Sequence, residues 1–194
     1  MIDKSQINFI NKHQEWIDNN QWADIYAALY EEYDPKFGTG DEAIGDFTKM
    51  MWEAKIDPLT ADPTLQYIPE YYLYGQTIGK VDFPSKIVSI NSSAFADTNG
   101  YSELYIPGHI DCISADAFRG SAVYKVEIDE GCVILGECVF ADCDNLKEIT
   151  IPLSCSIMQD NIFMNSPDVL IKCYRGSRAE SYAKEYDIEY EWID

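Results

Sequence analysis

The sequence predicts an α+β fold in three parts. Residues 1–60 form an N-terminal helical subdomain. Residues 61–175 form a short repeat solenoid with a parallel β-sheet, in about four to five repeats. Residues 176–194 form a C-terminal helix-strand cap. Two observations carry the solenoid. Phe95, Phe118, Phe140 and Phe163 recur at spacings of 23, 22 and 23, and Ile90, Ile113, Leu135 and Met158 keep the same spacings. So do Ile87, Ile110, Cys132 and Cys155, and Phe83, Ile106, Ile128 and Ile151, with Pro84, Pro107 and Pro152 following three of that last set. A period in this range is that of a solenoid with one structural unit per repeat. The third observation is helical patterning confined to positions 1–60 and to a short stretch near the end.

Ser5 can cap a first helix carrying Ile7, Ile10 and Ile17, widened by Phe9 and Trp16. Asn19-Asn20 breaks it. Trp22, Ile25, Tyr26, Leu29 and Tyr33 recur at helical steps and predict a second helix over about 21–33. Asp34-Pro35 and Gly38-Thr39-Gly40 close it. Ile44, Phe47, Met51 and Ala54 mark a third helix over about 41–55, with Asp41 and Glu42 at its positive end. Short amphipathic helices must pack on something, and the open end of a solenoid needs a cap.

Tyr72 lies one full period before Phe95, so Tyr67–Gly75 reads as a degenerate first half-repeat. Each repeat then begins with an alternating strand: Val81-x-Phe83, Leu104-x-Ile106, Val126-x-Ile128, Ile149-x-Ile151 and Val169-x-Ile171. Alternation turns these residues inward and predicts an outward ladder of Asp82, Tyr105, Glu127, Thr150 and Leu170. A second outward ladder reads Lys80, Glu103, Lys125, Glu148 and Asp168, and its alternating charge favours the register. Ser177-Arg178-Ala179-Glu180 is a capping box for a helix through about Tyr186. Tyr186, Ile188, Tyr190 and Trp192 alternate with acids as a half-buried strand.

The net charge is −20, divided as −7 over residues 1–60 and −13 over the remainder, so it is not a tail. Residues 126–146 hold Glu127, Asp129, Glu130, Glu137, Asp142 and Asp144 with no Lys or Arg. Such a surface repels nucleic-acid and membrane phosphates and favours a basic protein partner. No apolar run suits a transmembrane helix, and the first residues carry no secretory signal pattern, so a cytoplasmic location is expected. The six cysteines form no C-x-x-C pair and have no zinc spacing. Cys132 and Cys155 share a repeat position; a disulfide fits that spacing, and reduced buried thiols are the expectation in the cytoplasm.

Ala94-Phe95, Ala117-Phe118 and the run from Val139 through Asp142, Cys143, Asp144, Asn145 and Leu146 to Pro152 resemble the BspA-like leucine-rich repeat family. Cys173-Tyr174-Arg175-Gly176-Ser177 and Tyr182-Ala183-Lys184-Glu185 resemble the ending of its arrays. The resemblance covers about residues 68–190, with a departure in the third repeat at Gly131-Cys132 and Cys138-Val139. It implies a leucine-rich-repeat solenoid that recognises protein, and it supplies no catalytic residues. Ile56-Asp57-Pro58-Leu59 followed by Tyr67–Tyr71 resembles short bacteriophage proteins that join a helical head to such repeats.

No catalytic, cofactor or metal constellation stands out. His13 and His109 lie in unrelated contexts, and His109, in the turn after Pro107-Gly108, reads as a solvated residue. Gly38-Thr39-Gly40 lacks the lysine of a phosphate loop, and the acids lack a calcium-loop pattern. The expectation is a non-enzymatic protein-binding module without cofactor, direct nucleic-acid contact or membrane contact. Its partner-binding residues are Asp82, Tyr105, Glu127, Asp129, Glu130, Asp142, Thr150 and Leu170. Two narrower expectations accompany it. One is a phage-encoded inhibitor that occupies a bacterial defence protein, itself a basic nucleic-acid-binding host protein. The other is a structural, virion-associated or adhesin-type interaction protein.

Overall fold

The computed structural model describes residues 65–193, together with residues 11, 12, 15 and 19. The chain divides into two units, Met1–Leu65 and Gln66–Asp194. Asn11, Lys12 and Glu15 are helical, and the Asn19 N–H donates to the Glu15 carbonyl at 3.0 Å. The rest of the three-helix expectation, and the packing of those helices on the solenoid, lie outside the described residues.

Residues 66–193 wind as a solenoid with two parallel sheets, where the sequence predicts one. The first sheet stacks β1 (Tyr67–Ile68), β2 (Ser89–Ile90), β4 (Cys112–Ile113), β6 (Ile134–Leu135) and β8 (Ile157–Met158). The second runs from β3 (Glu103–Ile106) through β5 (Lys125–Ile128), β7 (Glu148–Thr150) and β9 (Leu170–Cys173) to β10 (Tyr190–Trp192). Strands of the first sheet are two residues long, too short to show alternation; only their inward residues appear in the sequence as a periodic column.

The inward columns follow the predicted spacing. Ile90, Ile113 and Leu135 are fully buried, as are Ile87, Ile110 and Cys132. Phe95, Phe118, Phe140 and Phe163 form a stacked spine with successive centroid distances of 5.1, 5.5 and 6.2 Å. Tyr72 meets one end edge-on at 6.0 Å, and Tyr182 meets the other at 6.1 Å. Tyr72 therefore fills the predicted half-repeat. Tyr182 comes from α1 (Arg178–Glu185), the helix that closes the stack. Ser177 caps α1 by accepting from the Glu180 N–H, as predicted, while the Glu180 carboxylate reaches past the N-cap to accept from the Gly176 N–H, and the Ser177 N–H donates to the Tyr174 carbonyl instead.

Each rung turns from the first sheet toward the second through two left-handed residues. One column is Tyr71, Ser93, Asp116, Cys138 and Asn161; the other is Gly75, Asp97, Gly120, Asp142 and Asn165. Asp, Asn and Gly tolerate this conformation best. Between them, backbone bonds run up to the next rung, as from Phe95 N–H to Ala117 O at 2.7 Å and from Phe118 N–H to Val139 O at 3.0 Å. The third-repeat departure at Cys138 thus takes a backbone place that its neighbours fill with Asp116 and Asn161.

Two strand assignments are corrected. Val81–Phe83 lies outside any strand, and Val81 and Phe83 are only half-buried. Asp82 pairs locally with Lys80 at 2.6 Å, while Tyr105, its predicted ladder neighbour, turns its hydroxyl to Asp129 instead. At the other end Ile149 lies beside Ile171, and Thr150 beside Lys172. Leu170 therefore stands next to Glu148, not Thr150, and the inward residues of β9 are Ile171 and Cys173. Val169 is buried in the turn before β9. The step from Ile149 to Ile171 is a full period, whereas aligning Val169 with Ile149 assumes a shortened one.

Candidate functional site: the outer face of the second sheet

The strands of the second sheet alternate, so half of their side chains form an exposed face. One ladder reads Glu103, Lys125, Glu148 and Leu170, and the other Tyr105, Glu127, Thr150, Lys172 and Glu191. Lys125 Nζ lies 2.9 Å from one Glu148 oxygen and Lys172 Nζ 2.8 Å from the other. Hydrogen bonds from Lys172 and then Lys125 hold the Glu148 carboxyl below its ordinary value. These three charges pin the middle rungs to one another. They are half-exposed, so the pairing serves register more than stability.

Toward β3 the face changes character. Tyr105 is 51% exposed, and Glu103 and Glu127 have no ion-pair partner among the described residues. A groove of about 300 Å³ opens here, bounded by Lys80, Val81, Glu103, Tyr105, Lys125 and Glu127. The Tyr105 hydroxyl donates to Asp129 Oδ2 at 2.9 Å, which fixes the ring and raises the phenol pKa.

The predicted binding residues do not gather on one surface. Tyr105, Glu127, Thr150 and Leu170 lie on the outer face of the second sheet. Asp82 is in the preceding loop, paired with Lys80. Asp129 and Glu130 are in the turn after β5. Asp129 receives Tyr105, and Glu130 accepts from the backbone N–H groups of Leu153 and Ser154 at 2.8 and 3.0 Å. Glu130 thus ties one rung to the next. Asp142 lies at the corner after β6, between Asn165 Nδ2 at 2.8 Å and Arg119 Nε at 2.7 Å. Those bonds, Asn165 first, lower its carboxyl pKa. The acid-only stretch is consequently distributed around the coil, with Glu127 on β5, Asp129 and Glu130 in the next turn, and Asp142 at the far corner.

Sequence reasoning placed Lys80, Glu103 and Lys125 on an outward ladder that favours the register and left them out of the binding set; it read Val81 as inward, and missed Lys172 in the ladder. The signal for Lys172 was the continuation of Ile106, Ile128 and Ile151 into Cys173. It also missed the outer face of the first sheet, where Cys112, Ile134 and Ile157 form an uncharged ladder and Ile157 is 47% exposed. His109 is not the solvated residue predicted: its Nε2 is buried and has no hydrogen-bond partner among the described residues.

All six cysteines are free, and five are buried. Burial pushes Cys132 and Cys155 up to about 12 and Cys143 to about 11, so these thiols are protonated fillers without nucleophilic character. Among the described residues, no group of three His, Cys, Asp or Glu is placed to hold a metal, and no helix is long and apolar enough to cross a membrane.

A family model described as BspA type leucine rich repeat region matches residues 51–171 in six copies. Six exceeds the four to five repeats predicted from the phenylalanine column. The match begins at residue 51, ahead of the half-repeat at Tyr72 where the sequence reading starts the array. No curated protein and no solved structure matches the chain.

Proposed function

The chain belongs to the BspA type leucine-rich repeat family, and from that membership we propose that it is a non-enzymatic protein-binding module working through the outer face of its second sheet. The observation that carries this reading is the contrast along that face. The middle rungs satisfy their own charges through Lys125, Glu148 and Lys172. The β3 end exposes an aromatic ring, two carboxylates without ion-pair partners among the described residues, and a groove. Aromatic side chains fixed in place beside a concavity make good interface anchors. Unpaired carboxylates beside them select for basic groups on a partner.

The narrower reading is a phage-encoded inhibitor that occupies a basic, nucleic-acid-binding host defence protein in the host cytoplasm. It is supported by the net charge of −20 and by the junction at Ile56–Tyr71. A strongly acidic chain associates quickly with a basic groove, and salt weakens that steering.

The test compares capture of partner protein by wild type, by a Tyr105→Ala/Glu127→Lys variant, and by an Ile157→Lys variant altered on the first sheet. The expected result is loss of the partner with the second-sheet variant alone. Retention by that variant and loss with Ile157→Lys would move the interface to the uncharged ladder. For the inhibitor reading, the captured protein should be basic, and its association should slow as salt is raised.

A further inference from the structure

Among the described residues the second sheet ends at β3, and no strand pairs with its outer edge. Lys125 N–H donates to Ser102 O at 2.9 Å and Asp129 N–H donates to Ile106 O at 2.9 Å, so alternate groups of this strand point to β5. Strand geometry then turns the backbone N–H and C=O of Glu103 and Tyr105 the opposite way. Those groups have no backbone partner among the described residues. In the later rungs, the strand on this side supplies that partner. The segment that the repeat spacing would place here, Val81–Phe83, is not hydrogen-bonded to β3, and the groove of about 300 Å³ lies in the gap.

We propose that the β3 edge accepts an extended segment of a partner protein as an added parallel strand, with a basic side chain beside Glu103. The proposal deepens the surface reading above and rests on it. An exposed row of unpaired backbone groups is a template for another strand. The choice of a basic residue follows from the ladder itself. Along the sheet it runs Glu103, Lys125, Glu148, so the position outside Glu103 calls for a cation. The chain's own Lys80 has the right spacing but is paired with Asp82. Glu127, diagonal to Glu103 across the groove, adds a second carboxylate for a Lys or Arg at the next outward position of the incoming strand.

Two substitutions at Tyr105 isolate the backbone contribution. Tyr105→Val removes the ring and keeps the N–H. Tyr105→Pro removes the N–H as well, and proline is tolerated on an edge strand where that N–H faces solvent. Both variants are first checked for a wild-type melting profile. The probe is the blocked peptide Val-Lys-Val-Lys-Val, with its Glu counterpart and its N-methylated form as controls, followed by amide exchange and chemical shifts at Glu103 and Tyr105. The Tyr105 amide should exchange freely in the protein alone and become protected by the Lys peptide only. Binding should be about tenfold weaker in Tyr105→Pro than in Tyr105→Val. A Tyr105 amide already protected in the free protein would mean that Lys80–Phe83 closes the edge, and the proposal would fall. No protection by the Lys peptide, or equal affinity in the two variants, would overturn it too. A captured partner lost with Tyr105→Ala/Glu127→Lys but retained by Tyr105→Pro would leave the surface reading standing while removing strand addition.

Discussion

Phe118 and Phe140 stack with centroids 5.5 Å apart and planes within 11° of parallel, one rung above the other. Both are fully buried. Offset stacking suits aromatic quadrupoles, and here the rung spacing imposes it. Truncating either ring to alanine leaves a cavity that flanking rungs, tied by backbone bonds, cannot close. Phe118→Ala and Phe140→Ala should each cost about 3–5 kcal/mol in chemical denaturation. A midpoint equal to wild type for Phe118→Ala would contradict the stacked core.

Gly131 has φ +125 and its missing Cβ would run into the backbone carbonyl of Gly108 in the rung below. A Cβ on Gly108 would in turn strike the carbonyl of Glu130. The backbones therefore meet where neither residue can carry a side chain. Gly131→Ala should destabilise by about 1–3 kcal/mol through strain and forced separation of the rungs. The reading is a lowered thermal midpoint with the β signal retained below the transition.

Cys138 occupies the left-handed column at φ 56. Asparagine fills the same column at Asn161, so Cys138→Asn should leave stability unchanged or raise it by up to about 1 kcal/mol. Cys138→Val, β-branched in the same conformation, should cost about 1–3 kcal/mol. Equal midpoints for the two variants would argue against a backbone origin.

The buried thiols set an alkaline limit. Cys132 and Cys155 are raised from 9.0 to about 12, and Cys143 to about 11. The folded chain keeps these protons where the unfolded chain loses them. Their contribution is fully present below pH 9.0 and is lost as pH rises toward 11 and 12. Thermal midpoints should fall as pH rises from 9.0 toward about 11, and fall less in Cys132→Ala. In neutral buffer without reductant, thiol reagent should react slowly with the native protein and count six thiols after unfolding.

The sequence by itself determined the solenoid, its period and its inward columns. It also marked the half-repeat at Tyr72 and the capping box at Ser177 and Glu180. Each of these leaves a side-chain pattern, because burial selects apolar residues and helix ends select capping residues. Tertiary structure alone decided the first sheet, the neighbour of Leu170 and the dispersal of the acids. Backbone pairing in two-residue strands needs no particular side chain, so Ser89 and Cys112 announce nothing. A carboxylate reads the same in sequence whether it faces solvent, as Glu127 does, or accepts from Leu153 and Ser154 one rung away, as Glu130 does. Which backbone donor lies opposite is fixed only when one coil settles on the next.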